Sequence, residues 1–209
     1  AYGLSVENKN GYWLVFDFGG GTFDAALLRV EDGVMQVFDT EGDNYLGGKN
    51  LDYAIVDEII IPYLQENYTI DNILADNTKK QILRDAMKFY AEQAKNHLSF
   101  KDKCDITSQI DEFGVDDDNN DIELDMIITQ DQLKAVLHPI FQKAVDICKE
   151  LLQRNNLKGS QLDSLILVGG PTYSPVVRQM LKDQITSNVD TSIDPMTAVA
   201  RGAALFAST

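Results

Sequence analysis

The chain has 209 residues, 44% hydrophobic and 24% charged, with 18 Lys and Arg against 33 Asp and Glu for a formal net charge of -15. That is the composition of an ordinary folded protein, long enough to bury roughly 70% of the surface its unfolded form exposes, as one domain or as two joined subdomains. The acidic balance excludes non-specific nucleic-acid binding, which needs Lys and Arg in excess, although a small polyanion can still bind where backbone amides and a divalent cation supply a local positive field.

The opening, Ala1-Tyr2-Gly3-Leu4, reads as the end of a helix. Tyr12 to Phe18 is aromatic and β-branched and predicts a strand. After Gly19 to Gly21, Thr22 to Val30 predicts a second strand, Asp32-Gly33 a hairpin turn, and Val34 to Thr40 a third strand, together an antiparallel meander. Leu51 to Leu64 and Asn77 to Phe100 carry apolar residues at helical spacing. In the second of these, Leu83, Met87, Tyr90, Ala94 and Leu98 form the core stripe, with His97 expected to pack near it. Cys104 to Phe113 and Ile122 to Ile128 predict a hairpin around the acidic loop Asp116 to Asp121. That loop lacks the Gly and Glu placement of a calcium-binding loop, so it is expected to be solvated.

Thr129 and Gln132 form a capping box, with Ile128 and Leu133 as a hydrophobic staple, for a helix running towards Asn155. Pro139 is expected to kink or split that helix. Leu165 to Val168 is a short apolar run suited to a strand covered on both faces. Ser174 and Pro175 start a further helix, and Asp194 and Pro195 repeat that start for a last helix ending near Ala207. The layout is mixed α/β, with the block from about Leu51 to Ile128 reading as an insert.

Cys104 and Cys148 are far apart and lack metal-ligand spacing, so no disulfide framework is expected and a reducing cytoplasm is the simplest setting. No apolar run approaches the roughly 20 residues that span a bilayer, and the first residues lack the features of a secretory signal.

Three segments carry candidate chemistry. In Asp17-Phe18-Gly19-Gly20-Gly21-Thr22-Phe23-Asp24, consecutive glycines between strands let backbone N–H groups converge on an anion. Thr22 adds a hydroxyl, and Asp17 and Asp24 can hold metal-bound waters or orient a nucleophilic one. It is not a P-loop, because the Lys is missing and a strand follows. A plain Gly-rich hairpin turn is the alternative. Gly169-Gly170 follows a buried strand, where ligands of α/β sheets bind, or else only permits a tight turn. Glu92, Lys95 and Ser99 fall within a sector of roughly 60° on one helix face, which by residue type alone is a solvated face. Gly47-Gly48 is either a close-approach point or a helix entry.

Together and in this order, these segments resemble the second lobe of the ATPase domain of the DnaK-type heat-shock chaperone family. The resemblance rests on Ala1-Tyr2-Gly3-Leu4, the octet from Asp17 to Asp24, Gly42-Asp43, and Leu46-Gly47-Gly48. It continues through Glu92 with Lys95 and Ser99, Leu167-Val168-Gly169-Gly170, Asp194-Pro195, Ala198-Val199-Ala200 and Gly202-Ala203-Ala204, and so spans nearly the whole chain. It implies an α/β, actin-like (ribonuclease H-like) ATPase lobe. The core subdomain would comprise 1–46 and 138–209, with an α+β insert at 47–137 capping the nucleotide cleft.

By the same resemblance, Gly19, Gly20, Gly21 and Thr22 contact the phosphates of ATP or ADP, with Asp17, Thr22 and Asp24 as catalytic residues. Asp17 and Asp24 bind Mg2+, with K+ a further candidate cation. Glu92, Lys95 and Ser99 face adenosine opposite Gly169 and Gly170, with Gly48, Tyr173 and Asp194 lining the pocket. Pro171, Thr172 and Tyr173 depart from the family pattern, Tyr173 standing where an Arg lies against adenine. Asn96, Lys49 and Asn50 also depart from it.

The implied parent couples ATP hydrolysis to binding and release of unfolded polypeptides, in protein folding and the stress response. Its partners are a first ATPase lobe and a peptide-binding domain of the same polypeptide, client proteins, a J-domain co-chaperone and a nucleotide-exchange factor. Neither nucleic acid nor a membrane is among them. This lobe alone is expected to lack turnover. The alternatives are a lobe of a sugar or acetate kinase, and a degenerate chaperone relative that binds ATP as a structural clamp or acts as an exchange factor.

Overall fold

The computed structural model describes residues 10–32 and 34–207. Ala1-Tyr2-Gly3-Leu4 and Gly33 of the predicted turn lie outside the described residues. The chain divides into two compact units, Ala1–Lys49 with Ile140–Thr209, and Asn50–Pro139.

Strands β1 (Gly11–Phe18), β2 (Phe23–Glu31) and β3 (Val34–Asp43) form the expected antiparallel meander. Helix α1 (Gly48–Ile55) passes through a π-helical turn, Val56–Ile60, into α2 (Ile61–Asn67). The predicted single helix is thus interrupted. Pro62, in the first turn of α2, has no N–H to donate backwards, and the wider turn ends just before it, where Ile61 N–H reaches Val56 O.

Next come α3 (Asp71–Ala75), α4 (Asn77–Leu98), β4 (Lys103–Thr107) and β5 (Asp125–Thr129). The hairpin strands are shorter than expected, and between them a single bridge joins Val115 to Asp121. The acidic loop is not simply solvated. Asp116 is buried, because its carboxylate accepts from the N–H groups of Thr69, Asp118 and Asn120, as aspartate readily does in turns.

Helix α5 (Gln130–Arg154) begins with the predicted capping box: Thr129 N–H donates to Gln132 Oε1 at 2.9 Å and Gln132 N–H to Thr129 Oγ1 at 3.3 Å. Pro139 does not split it. The carbonyl it leaves unpaired belongs to Ala135, and both residues lie on the exposed side, where water can take the bond.

Strand β6 (Leu162–Val168), helix α6 (Pro175–Gln184), the two-residue strand β7 (Val189–Asp190) and α7 (Ala198–Ala207) complete the chain. Ser174 caps α6 through Val176 N–H as expected. The last helix starts at Ala198, later than predicted, because a turn on Asp194 precedes it.

In the first unit the sheet order is β3-β2-β1-β6-β7, with β6 parallel to both β1 and β7. Alternation along β1 sends Leu14, Phe16 and Phe18 into the main core, where Phe16 meets Phe23 at 4.7 Å between ring centroids and Phe18 meets Phe141 at 5.2 Å. Trp13 and Val15 face the other way, against Ile166, Val168 and Ile193. Both faces are therefore covered, and this is why β1 and β6 read as nearly unbroken apolar runs.

In the second unit the predicted stripe of α4 is buried at every position, with Ala91 added, and α4 packs on the π-helical turn and on β4. His97, expected near the stripe, is exposed. It falls about 70° from the stripe's centre, at its margin. Cys104 and Cys148 are both free and buried. No helix among the described residues is long and apolar enough to cross a membrane.

Candidate functional site

Strands β1 and β6 lie side by side and parallel, so they end at the same edge of the sheet, with Asp17 level with Val168. Ligands of α/β sheets bind beyond such carboxyl ends. Three glycine turns meet there in the first unit.

The first turn joins β1 to β2 and is closed by Gly19 N–H on Thr22 O at 2.9 Å. The start of α1 holds it from outside, Gly48 N–H donating to Gly19 O at 2.9 Å and Lys49 N–H to Gly20 O at 2.8 Å. Gly47 makes this approach possible, since a Cβ there would stand 2.5 Å from the backbone of Gly21. Gly47-Gly48 thus serves both as close-approach point and as helix entry. The third turn is as tight: Gly169 has φ +91°, and a Cβ on it would come within 2.1 Å of Phe18 O.

Gly20 and Gly21 differ from these. A Cβ on either would meet nothing within 4 Å, and neither has a left-handed φ. The N–H groups of Gly20, Gly21 and Thr22 donate to no other described residue. The carbonyls of Gly19 and Gly20 are thus engaged by α1 while these three donors are left over, an arrangement suited to an anion.

Asp17 and Asp24 flank the turn as partners in the β1–β2 register. Burial, and then the charge of Asp24, push the Asp17 carboxyl above its ordinary range. Two carboxylates do not close a metal site, and no cluster of three or more His, Cys, Asp or Glu suited to a metal occurs among the described residues. The pair fits a hard cation that keeps several waters and takes further ligands from phosphate, as Mg2+ does.

Behind Gly170, Tyr173 donates its hydroxyl to Asp194 Oδ1, which also accepts from Met196 N–H at 3.0 Å. The tyrosine bond is the main reason the Asp194 carboxyl lies below the usual range. Gly169 N–H on Pro195 O at 3.1 Å ties the two segments together. Thr172 is buried with its hydroxyl on Gly169 O. Arg178 donates to Thr172 O at 2.7 Å, and its guanidinium lies 5.6 Å from the centre of the Tyr173 ring. The structure thus brings Asp17, Gly19, Gly20, Gly21, Thr22, Asp24, Gly48, Gly169 and Gly170 to one sheet edge, with Tyr173 and Asp194 joined beside them. Sequence reasoning missed Arg178, which sits one helical turn beyond the cap of α6.

The remaining candidates lie on α4 in the second unit. Glu92 is exposed, Lys95 is buried, and Ser99, at the end of the helix, donates its hydroxyl to Lys95 O at 3.0 Å. The face is therefore not uniformly solvated. Lys95 Nζ donates to Asp52 Oδ1 on α1 at 2.5 Å, and Asp52 is itself buried. Burial raises the Asp52 carboxyl, opposed by its bond from Lys95. Nothing in the local sequence around Asp52 signals this pairing.

A protein-family model described as Hsp70 protein matches residues 1–209, the whole chain.

Proposed function

This chain belongs to the Hsp70 family, and from that premise we propose that it is the second lobe of the family's ATPase domain, gripping the phosphates of ATP or ADP with the Gly19–Thr22 turn. The family is one of heat-shock chaperones whose ATPase domain binds nucleotide with Mg2+ and which work with client proteins and co-chaperones. The mixed sheet and α/β content are compatible with its actin-like fold.

One observation carries the proposal: Gly20 and Gly21 are glycines that the fold itself does not require, on a turn where the N–H groups of Gly20, Gly21 and Thr22 have no acceptor among the described residues. Bare backbone there lets phosphate oxygens approach, and Thr22 adds a hydroxyl donor. Asp17 and Asp24 are the residues that would hold Mg2+, with K+ the alternative cation at Asp24. Such an ion, when bound, offsets phosphate charge. Asp17 also orients an attacking water. Gly48, Gly169, Gly170, Tyr173 and Asp194, with Glu92, Lys95 and Ser99, are the proposed contacts to the rest of the nucleotide.

Phosphoryl transfer needs positioning and charge stabilisation on both sides of the nucleotide, so this lobe binds without turnover. In the full-length protein, hydrolysis would drive capture and release of unfolded chains, with a J-domain partner stimulating it and an exchange factor acting on the 47–137 insert. Two buried free thiols suit a reducing cytoplasm.

Calorimetric titration of the full-length protein with Mg-ADP tests the site. Gly20→Ala and Gly21→Ala are expected to weaken binding at least about 10-fold, because each methyl enters the space of the phosphates, while leaving the unfolding midpoint near wild type. Unchanged affinity in both variants would remove the phosphate-cradle reading.

A further inference from the structure

Lys95 is the buried member of the α4 trio, and an ammonium taken out of water is held only by a well-placed counter-charge. Asp52, one turn into α1, provides it at 2.5 Å, and the other Asp52 oxygen stands 3.8 Å from Lys88 Nζ. Lys88 and Lys95 are seven residues apart on one side of α4, so one buried carboxylate lies between two ammonium groups.

Glu92 lies on the same helix, four residues after Lys88 and three before Lys95, at the spacings where opposite charges pair. It is exposed, and its side chain makes no hydrogen bond or ion pair with another described residue. Its charge nevertheless reaches Asp52. Asp52 and Glu92 are therefore rivals for Lys95, and in this structure Asp52 holds it. We propose that Asp52 is a positioning residue: it draws the Lys95 ammonium away from Glu92, and so keeps the Glu92 carboxylate open to accept hydrogen bonds from hydroxyl groups of a bound nucleoside.

The proposal rests on the reading of this helix face as a nucleotide contact. Without Asp52, Lys95 pairs with Glu92 and the acceptor is consumed. The effect therefore runs through Glu92, whereas a purely structural ion pair would lower stability without regard to Glu92.

The test combines Mg-ADP calorimetry on the full-length protein with 15N NMR of the lysine Nζ groups. In wild type the Lys95 Nζ resonance should exchange slowly with solvent, unlike those of exposed lysines. Fast exchange there overturns the pairing without any substitution. Asp52→Asn is expected to weaken ADP about 10-fold, and the same change in a Glu92→Ala background by less than about 2-fold, a coupling that double-mutant cycles resolve. Equal losses in the two backgrounds, or no loss in either, refute the positioning role. Should Asp52→Asn fail to fold, Asp52→Asn with Lys95→Met removes both buried charges and is read against Lys95→Met alone: ADP affinities should match, and a further loss counts against the proposal. If Glu92→Ala and Lys95→Met both bind ADP like wild type while the slow Nζ signal persists, the pairing stands, but the nucleotide reading of this face fails and the role proposed for Asp52 falls with it.

Discussion

Asp17 and Asp24 are direct partners across the β1–β2 ladder, so two carboxylates flank the glycine turn at one level of the sheet. Like charges so placed repel, and burial adds to the cost for Asp17, whose carboxyl is pushed up. A carboxyl raised in the folded state binds more protons there than in the unfolded chain. Its contribution favours the fold at low pH and is lost as pH rises through the raised value. In thermal melts from pH 4 to 7, Asp24→Asn should gain stability relative to wild type as pH rises, because the repulsion it removes is felt only when Asp17 is ionised. Added Mg2+ should raise the melting temperature more at pH 7 than at pH 4, and not at all in Asp17→Asn.

Glycines 20 and 169 give opposite expectations although both lie in turns of the same edge. Gly169→Ala must place a methyl 2.1 Å from Phe18 O at φ +91°. The strain and the overlap together should cost about 2–5 kcal/mol in urea unfolding. Gly20→Ala meets nothing and should change stability by less than about 1 kcal/mol. A Gly169→Ala protein of wild-type stability would mean that the Phe18–Gly169 approach is not as drawn.

Arg154, at the end of α5, clamps β3 through a bidentate bond to Asp39, with further bonds to Glu41 and Thr40 O. Its guanidinium holds the Asp39 carboxyl well below the usual range. A lowered carboxyl contributes stability that is present above the unfolded value and lost as pH falls through the folded one. Arg154→Ala should therefore lower the urea midpoint at pH 7, with the deficit shrinking in acid. Because Arg154 is exposed and its carboxylate partners are partly exposed, the deficit should also shrink in 1 M salt.

Tyr173 separates ring from hydroxyl. Tyr173→Phe keeps the ring and loses the bond to Asp194, so the Asp194 carboxyl should move up towards its ordinary range in an NMR titration. ADP affinity should stay within about 2-fold. Tyr173→Ala should lower it about 2- to 12-fold, the range corresponding to one aromatic contact of about 0.5–1.5 kcal/mol.

Much of the candidate site was legible because its signals are local. Gly19 to Gly21 between two β-rich runs announced a turn with bare backbone, and Ser174-Pro175 announced the cap and first residue of α6. Thr129 with Gln132 announced the start of α5. The α4 stripe was readable because 3.6-residue periodicity is intrinsic to one helix. Where the reading went astray, a neighbour intervened. Asp116 left solvent for the backbone of Thr69, 47 residues away, and Pro62 reshaped the turn before it. Strand β7, at two residues, is too short to carry any alternation.

The sequence alone determined the order of the longer strands and helices, the glycine turns and the caps of α5 and α6, because these depend on residues within a turn or two of one another. The tertiary structure decided which of those glycines the fold needs and which it leaves open, since only the distance from Gly169 to Phe18, or from Gly47 to Gly21, separates them from Gly20. It also decided the partners of buried charge. Asp52 meets Lys95 across 43 residues and Asp39 meets Arg154 across 115, and pairings at such separations follow from how elements pack, which no local pattern encodes.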